Sequence, residues 1–471
     1  MKKAELIFVP LPGTSHLGST LEFAKRLMDR DDRISITVLV MKVPFGNAMT
    51  KSLTASHSRR IRFIDLPEAV DLPPLQLLMT SPECYFSLFA EKNTPLVRNV
   101  VGDIVSSSQY SDSDNSDAVR VTGLDLDFIF LSMVDVADEL GLPSYLFLAF
   151  NVGYLGLMRY LSTRHDQIIA EFQYSDSDLI IPGFVNPVPV SVLLPALFNK
   201  DGYTCYVKLA QRLKDVKGII VNTFSELEQH AFNSFSCGSN PPVYTVGPLL
   251  HLQVGSNNPD LEESQCQKIQ KWLDDQPESS VLFLCFGMGG SFGPAQVKEI
   301  ASGLEQSEYR FLWSLRVGHH QSTSDHDDVL PEGFMERTRG RGMVCGWAPQ
   351  VEILAHKAIG GFVSHCGWNS ILESLWFGVP IATWPLYAEQ QFNAFRLVKE
   401  LGLSVELRLD SKMDGDLVVT ADEIAGAVRC VMDGDSEIRK KVKELAEIGK
   451  KSVLEGGSSF DSIRQFINMN F

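Results

Sequence analysis

The chain has 471 residues, of which 44% are hydrophobic and 10% aromatic. This length exceeds what a single hydrophobic core usually supports, so two large globular domains are expected. The 42 basic residues against 58 acidic residues give a net charge of −16. That charge argues against nucleic acid or an anionic membrane as the partner, because both require a basic protein surface.

The N-terminal segment MKKAELIFVPLPG has a short apolar run that is broken by Pro10, Pro12 and Gly13. It lacks the small-residue cleavage site of a signal peptide, and it predicts a first buried strand. No stretch approaches the roughly 18 consecutive apolar residues of a membrane span. The eight cysteines form no CxxC pair and no metal-ligand spacing. Free thiols and a cytoplasmic location are therefore expected.

Short apolar runs alternate with amphipathic segments along the whole chain, as is typical of βαβ units with parallel sheets. The predicted strands are ELIFVPL, ISITVLVM, LDLDFIF, SYLFLAF and GIIVNTF in the first half, and SVLFLCFG, YRFLWSLR, GMVCGW, GGFVS, PIATWP and LSVEL in the second. Residues 249–262 lose this periodicity and gain Gly, Pro and Asn, which indicates a linker. The predicted fold class is α/β, with doubly wound domains over residues 1–248 and 263–455. Residues 456–471 are expected to form a final helix that packs back on the first domain.

Two polar stretches, Ser106–Asp117 and Gly318–Asp328, are predicted to be surface loops. The second contains three histidines among acidic residues. No regular element fixes those histidines as ligands, so a metal site is not expected there.

Two polar residues of the first half are candidates for chemistry. His16 follows the first predicted strand and precedes a helix, and the carboxyl end of a strand is where α/β sheets bind ligands. A single histidine is nevertheless more often structural than catalytic. Asp127 lies inside the apolar strand LDLDFIF, where a buried carboxylate without a partner would be costly. Asp125 shares its side of the strand, so periodicity does not rank the two acids.

The stretch FGMGGSFGPAQ contains a formal GxSxG motif around Ser291, which raises a serine hydrolase as an alternative function. Ser291 lies several residues beyond the predicted strand and just before Pro294, whereas the hydrolase serine needs a tight strand-to-helix elbow. The stretch also imitates a dinucleotide fingerprint. However, Phe292 stands where the third glycine belongs.

The segment from His365 to Ser370 joins the predicted strand IGGFVS to the predicted helix NSILESLWFG. The start of a helix offers unpaired N–H groups and a partial positive charge, which suit a phosphate. Ser370 and Glu373 also match a capping box, so the alternative is that both only cap the helix. His365 and Cys366 are adjacent and cannot easily converge on one metal ion.

From Trp347 to Gln390 the sequence WAPQVEILAHKAIGGFVSHCGWNSILESLWFGVPIATWPLYAEQ closely resembles the donor-binding signature of plant family-1 UDP-dependent glycosyltransferases. The segments PLPGTSHL, KGIIVNTFSELE, YTVGPLL and WLDDQPESSVLFLCFG extend the resemblance to nearly the whole chain, and it is closest to the subgroup that glucosylates flavonoids, other phenolics and terpenoids. It implies a GT-B fold, in which two Rossmann-like domains face each other across a cleft. The first domain would bind the acceptor and the second the UDP-sugar.

The resemblance also implies a donor site within the signature. Its residues would be Trp347 stacked on uracil with Ala348 and Gln350 beside it, Glu373 on the ribose hydroxyls, His365, Asn369 and Ser370 on the diphosphate, and Trp368, Glu389 and Gln390 on the sugar. Gln390 would favour UDP-glucose over UDP-galactose. Gly287 and Met288 would present backbone N–H groups to the diphosphate.

In relatives, the positions of His16 and Asp127 form a catalytic dyad. The motif DF before SM.DV selects Asp127 over Asp125. His16 would take the proton of an acceptor hydroxyl as it attacks the anomeric carbon, while Asp127 fixes the imidazole tautomer. In-line displacement would give a β-glucoside by inversion. UDP would leave without a metal, and no cofactor is expected besides UDP-glucose as the donor substrate.

The sequence departs from the family pattern at Met288, where relatives usually carry a serine, and at Ala149 and Phe150, where they usually carry hydroxyl residues. Donor preference and efficiency are therefore open. Dispersed residues of the first half, including Phe86, Phe150 and Leu193, would line the acceptor pocket, with core packing as the alternative. A monomer is expected. A non-catalytic UDP-sugar-binding protein remains an alternative, which the presence of both dyad residues disfavours.

Overall fold

The computed structural model describes residues 3–43, 60–109, 119–236, 241–251, 263–287, 289–316, 329–410 and 418–471. Two sheets whose strands all pair in parallel, with helices between the strands, confirm the predicted α/β class. The chain divides into two compact units. The first comprises Met1–Val188, Ala196–His251 and Lys451–Phe471, and the second comprises Pro189–Pro195 and Leu252–Lys450.

The first unit contains a seven-stranded sheet in the order β3-β2-β1-β4-β5-β6-β7. Its strands are β1 (Lys3–Val9), β2 (Ile34–Val40), β3 (Ile61–Asp65), β4 (Val119–Asp127), β5 (Ser144–Leu148), β6 (Gly218–Val221) and β7 (Val243–Thr245). Its helices are α1 (Thr14–Arg30), α2 (Leu75–Thr80), α3 (Pro82–Gln109), α4 (Val134–Glu139), α5 (Val152–His165), α6 (Lys200–Arg212), α7 (Gln229–Ser236) and the C-terminal α16 (Ser458–Asn470), with 3-10 turns at Phe128–Met133 and Pro195–Phe198.

The sequence predicted five of these seven strands and missed the two at the edges of the sheet. β3 (IRFID) carries two charged residues and is only partly buried, and β7 (VYT) has three residues. A central parallel strand is covered on both faces and therefore has a continuous apolar run, which an edge strand does not need. The predicted loop Ser106–Asp117 also needs correction, because α3 continues to Gln109.

Helices α1 and α16 cover one face of the first sheet. Leu17, Leu21, Ala24 and Leu27 repeat at helical spacing and are buried against the strands. The ring of Phe466 in α16 packs against Tyr145 and Tyr244 on two strands, at centroid distances of 5.0 and 5.3 Å. The C-terminal helix is therefore part of the core of the first unit.

The second unit contains a six-stranded sheet in the order β10-β9-β8-β11-β12-β13. Its strands, each within a predicted run, are β8 (Val281–Cys285), β9 (Arg310–Ser314), β10 (Gly342–Cys345), β11 (Ile359–Ser364), β12 (Ile381–Thr383) and β13 (Ser404–Glu406). Its helices are α8 (Glu263–Asp274), α9 (Pro294–Ser307), α10 (Phe334–Arg337), α11 (Gln350–Leu354), α12 (Trp368–Trp376), α13 (Gln390–Phe395), α14 (Ala421–Met432) and α15 (Glu437–Ser452, whose end passes into the first unit), with a π turn at Arg396–Glu400.

The expected boundary of the first domain, residues 1–248, does not account for the segment Pro189–Pro195, which lies with the second unit. This segment contains the 3-10 turn Val190–Val192, and the Leu193 carbonyl accepts a hydrogen bond from Gln391 Nε2 on α13. Most of the expected linker, from residue 252 onward, lies outside the described residues. So does the predicted loop Gly318–Asp328.

The described cysteines are free thiols. The nearest recorded pair, Cys84 and Cys205, has its sulfur atoms 3.7 Å apart, well beyond the roughly 2.05 Å of a disulfide. Among the described residues, no helix combines the length and the apolar character that a membrane crossing requires.

Candidate functional site

His16 and Asp127 are brought together by two neighbouring strands of the first sheet. β1 pairs with β4 up to Val9 opposite Leu126, so the residues that follow both strands lie at the same edge. His16 lies in the first turn of α1, and its Nδ1 is 2.7 Å from Asp127 Oδ2. The other oxygen of Asp127 accepts a hydrogen bond from the Ile129 N–H at 3.1 Å and caps the 3-10 turn. Because a carboxylate only accepts, Nδ1 carries the proton and Nε2 is the nitrogen that can take one.

Asp125 has a different environment from Asp127. It is 2% exposed and pairs with Phe8 and Tyr145 of the core cluster, and its Oδ1 has no hydrogen-bond partner. Burial, with a contribution from the charge of Asp127, raises the pKa of Asp125 well above its usual value. The structure therefore joins His16 to Asp127 and leaves Asp125 in the core.

A cluster of aromatic rings lies on one side of His16. The ring of Phe150 meets the imidazole edge-on at 6.0 Å and stacks on Tyr154 at 4.5 Å, and Phe128 packs edge-on against both of these rings. Phe150 is half-buried, so it combines packing with an accessible surface. Sequence reasoning named Phe150 but missed Phe128 and Tyr154, although the position of Phe128 directly after Asp127 was a usable signal.

The three predicted acceptor-pocket residues belong to two units: Phe86 and Phe150 lie in the first and Leu193 in the second. Phe86 is half-buried and packs edge-on against Tyr85 at 5.4 Å. Leu193 is fully buried in the second unit, where its backbone is bound by Gln391. A cavity of about 280 Å³ in the first unit is lined by other residues, including Ile129 and Tyr206.

In the second unit, the described residues of the predicted donor site all follow the carboxyl ends of strands. Gly287 follows β8, Trp347 to Gln350 follow β10, His365 to Glu373 follow β11, and Glu389 and Gln390 follow β12. Because these strands belong to one parallel sheet, the residues share one edge of it. Met288 lies outside the described residues.

The capping-box interpretation of Ser370 and Glu373 is wrong. Helix α12 begins at Trp368 with Gly367 as its N-cap, so Ser370 already lies within the first turn and makes no cap bond. The side chain of Gln350 instead donates to Ser370 Oγ at 2.9 Å and to Glu373 Oε2 at 2.7 Å. Burial raises the pKa of Glu373 to about 7, the bond from Gln350 opposes this shift, and the charge of Glu352 adds to it. Both side chains are therefore free of the capping role and are oriented by Gln350.

His365 is 6% exposed and lies between two glycines. A Cβ on Gly287 would be 2.5 Å from its Nε2, and one on Gly367 would be 2.7 Å away, so any side chain at either position would collide with the ring. Burial lowers the pKa of His365 to about 4, and the charge of Arg316 acts in the same direction. His365 is therefore neutral at pH 7 and can serve an anion only as an N–H donor. Its Nδ1 is buried without a partner.

The other donor residues are held by backbone and side-chain bonds. Gln390 is 3% exposed, and its Oε1 accepts from the N–H groups of Leu386 and Tyr387 at 2.9 and 3.1 Å. Asn393 Nδ2 donates to Glu389 Oε1 at 3.3 Å and to the Cys366 carbonyl at 2.9 Å, which ties the two loops together. Sequence reasoning missed Asn393, although the i, i+4 spacing from Glu389 is a usable signal.

The remaining residues of the predicted donor site are buried or half-buried. Trp347 is half-buried, and its carbonyl accepts from Gln265 Nε2 at 2.7 Å. Ala348 and Trp368 are 6% and 3% exposed, and Asn369 is half-buried. Gln265 on α8 had no sequence signal, because it is remote along the chain from the signature.

Neither a metal site nor a hydrolase elbow is found in the described part of the chain. It contains no group of three His, Cys, Asp or Glu side chains placed to hold a metal ion. Ser291 is exposed and lies in an irregular segment well after β8 and before α9.

A family model described as UDP-glucoronosyl and UDP-glucosyl transferase matches residues 248–455. The chain is 53% identical to UDP-glycosyltransferase 71K1 of Malus domestica and to Flavonol 3-O-glucosyltransferase UGT71C4 of Arabidopsis thaliana, with 99% of this chain and 98% of each relative covered. It is similar to the crystal structure of Medicago truncatula UGT71G1 complexed with UDP-glucose, with a TM-score of 0.89, 51% identity, and 99% and 98% of the two chains covered. It is also similar to Phytolacca americana UGT2 complexed with UDP-2fluoro-glucose and pterostilbene, with a TM-score of 0.84, 32% identity and 99% of each chain covered. None of these relatives supports the hydrolase alternative.

Proposed function

Because the chain belongs to the UDP-glycosyltransferase family of plants, we propose that it transfers glucose from UDP-glucose to a hydroxyl group of a small lipophilic acceptor and releases a β-O-glucoside. The donor is suggested by the UDP-glucose named with the Medicago truncatula structure. A flavonoid acceptor is suggested by the relative named as a flavonol 3-O-glucosyltransferase, and the sequence resemblance adds other phenolics and terpenoids as acceptor classes.

The 2.7 Å contact between His16 and Asp127 carries the proposal. His16 Nε2 takes the proton from the acceptor hydroxyl, and the acceptor oxygen then attacks the anomeric carbon of the sugar. The bond from that carbon to UDP breaks on the opposite side, so an α-linked donor gives a β-product. Asp127 holds the imidazole in the basic tautomer and stabilises the imidazolium that forms. A protein that only binds UDP-sugars has no use for this pair.

In the second unit, Trp347, Ala348 and Gln350 are proposed to hold the uracil, and Glu373 the ribose hydroxyls. The N–H groups at the start of α12 are proposed to hold the diphosphate, together with Asn369, Ser370, the neutral His365 and the loop of Gly287 and Met288. Trp368, Glu389 and Gln390 are proposed to hold the sugar. The orientation of Glu373 by Gln350 at 2.7 Å and the tie between Glu389 and Asn393 support these roles. We further propose that no divalent metal takes part, because the backbone N–H groups at the helix start stabilise the negative charge that develops on the leaving diphosphate.

The aromatic cluster of Phe150, Tyr154 and Phe128 beside His16 favours a flat acceptor. Stacked and edge-on rings bind other rings well, and the edge-on contact of Phe150 with the imidazole places this surface next to the base. The roles of Phe86 and Leu193 in acceptor binding stay predictions.

The proposal is tested by mixing the protein with UDP-glucose and a panel of flavonols, simple phenols and terpenoid alcohols, with product detection by mass spectrometry. We expect UDP release together with a β-glucoside, and a chelator should leave the rate unchanged. UDP-glucose binding without product for any acceptor would favour the binding-protein alternative. Labelling of Ser291 by a fluorophosphonate would favour the hydrolase. The monomeric state and the cytoplasmic location stay predictions.

A further inference from the structure

Arg316 lies next to the proposed diphosphate site, although it is outside the signature. It is the second residue after β9, which pairs with β8 in the register Leu284 opposite Trp313. Continuing that register puts Arg316 level with Gly287, whose loop contacts the ring of His365. Parallel neighbouring strands thus carry Arg316, Gly287 and His365 to one edge of the sheet, in the order β9, β8, β11.

The charge of Arg316 acts on groups at the carboxyl ends of three other strands. It opposes the raised pKa of the Cys285 thiol at the end of β8 and of Tyr387 after β12, and it helps to lower the pKa of His365 after β11. The hydroxyl of Tyr387 in turn lies beside Gly289, where a Cβ would be 3.0 Å from it. Arg316 therefore lies among the loops that are proposed to surround the diphosphate.

The guanidinium of Arg316 has no anionic partner among the described residues. Its Nη2 is buried without any hydrogen bond, and no carboxylate contributes to its electrostatic environment. Burial lowers its pKa, but an arginine keeps its proton in proteins. Arg316 is half-buried, and a partly desolvated charge without a partner is costly unless a ligand completes it.

The donor site as predicted from the sequence contains two glutamates and no arginine or lysine, yet its ligand carries a diphosphate. The neutral state of His365 means that the imidazole does not supply a positive charge. We propose that Arg316 is an additional ligand of the diphosphate and provides the full positive charge of the donor site. This inference rests on the proposed binding of a UDP-sugar by the second unit.

The test compares the binding of UDP and of uridine by titration calorimetry, because the two ligands share the base and ribose and differ in the diphosphate. Arg316→Gln should weaken UDP binding about 10- to 100-fold, as expected for the loss of a charge-assisted hydrogen bond, and uridine binding less than about 2-fold. Arg310→Gln is the matched control. Arg310 is an exposed arginine at the other end of the same strand, and its loss should change neither affinity.

Unchanged UDP affinity in Arg316→Gln would overturn the assignment, and so would equal losses for UDP and uridine. UDP-glucuronic acid is titrated as a third ligand. If Arg316→Gln weakens the binding of this ligand alone, the arginine serves a sugar carboxylate and the assignment is overturned. If Arg316→Gln does not fold, Arg316→Lys is the second variant, because it keeps the positive charge but not the paired N–H donors of the guanidinium group. It should retain more than about one tenth of the wild-type UDP affinity, with uridine binding unaffected. A Lys variant that loses both ligands equally would contradict the proposal. Failure of the wild-type protein to bind UDP would instead refute the proposed function.

Discussion

The contact between His16 and Asp127 predicts the behaviour of the isosteric variant Asp127→Asn. In the wild-type protein one carboxylate oxygen accepts from His16 Nδ1 at 2.7 Å and the other from the Ile129 N–H at 3.1 Å. An asparagine can keep the bond to Ile129 through its amide oxygen, but its amide nitrogen then faces Nδ1. Because that nitrogen only donates, the imidazole has to carry its proton on Nε2, and the lone pair that would accept the proton of the substrate is lost.

The size of the effect follows from what is lost. General-base catalysis typically contributes a factor of about 10² to 10⁴, so kcat of Asp127→Asn should fall by about that factor. Binding of UDP should change less than about 2-fold, because Asp127 is not among the proposed donor residues. Asp127→Ala should be less stable than Asp127→Asn by about 1 kcal/mol, because only the alanine also removes the cap on the turn at Ile129.

The assay is the initial rate of glucoside formation at saturating UDP-glucose, with UDP affinity measured separately by calorimetry. Asp125→Asn is the matched control, since it changes a second buried carboxyl of the same strand that makes no recorded bond to His16. It should keep kcat within a few-fold of the wild-type value. Retention of more than one tenth of the wild-type kcat by Asp127→Asn would refute the tautomer reasoning, as would an equal loss in Asp125→Asn.

Three further predictions concern stability and donor binding. Burial raises the folded-state pKa of Asp125, so the free energy of unfolding of the wild-type protein falls as pH rises above about 4. In urea titrations the free energy of unfolding of Asp125→Asn, relative to the wild type, should increase by up to about 1.4 kcal/mol per pH unit. A difference between the two proteins that does not change with pH would contradict this. Burial raises the pKa of Glu373 to about 7, and its ionised form is the better acceptor for ribose hydroxyls, so the affinity for uridine should fall as pH drops from about 8 to 6. The uridine affinity of Glu373→Gln should not change over this pH range. A wild-type affinity that is also independent of pH would argue against the ribose role. Gly287→Ala would put a Cβ 2.5 Å from His365 Nε2 at a φ of +69°, so it should lower the free energy of unfolding by about 1–3 kcal/mol and weaken UDP binding. In the control Gly434→Ala the added Cβ would have nothing within 4 Å, so the free energy of unfolding should change by less than about 0.5 kcal/mol. Equal melting temperatures for the two variants would contradict the steric reasoning.

The local patterns of the sequence were sufficient for most of the fold. Buried parallel strands need continuous apolar runs, and these runs located the central strands of the first sheet and the six strands of the second. The edge strand Ile61–Asp65 was missed because it is partly exposed and carries two charged residues, and Val243–Thr245 was missed because it has only three residues. The segment Pro189–Pro195 was assigned to the wrong unit, because its membership depends on contacts with α13 that chain order does not reveal.

The candidate site divides in the same way. A long gap-free signature predicted the donor residues, since the residue types around a helix start depend on the ligand they bind. By contrast, the sequence left open the alternative that Ser370 only caps the helix, and the helix start at Trp368 and the amide of Gln350 remove it. Spacing predicted carboxylates at 125 and 127 on one side of a strand. The family motif selected Asp127, and strand pairing with the turn after β4 shows that this carboxylate is the one that meets His16.

By itself, the sequence determined the fold class, the family and the residue types that can do the chemistry, because these depend on hydrophobic periodicity and on contiguous motifs. The tertiary structure alone decided the charge state and the partners of those residues. His365 is neutral because its surroundings exclude water, Asp125 is set apart from the dyad by the core around it, and Arg316 comes level with Gly287 through the pairing of β8 with β9. Burial and long-range pairing arise from segments far apart in the chain, and no local pattern encodes them.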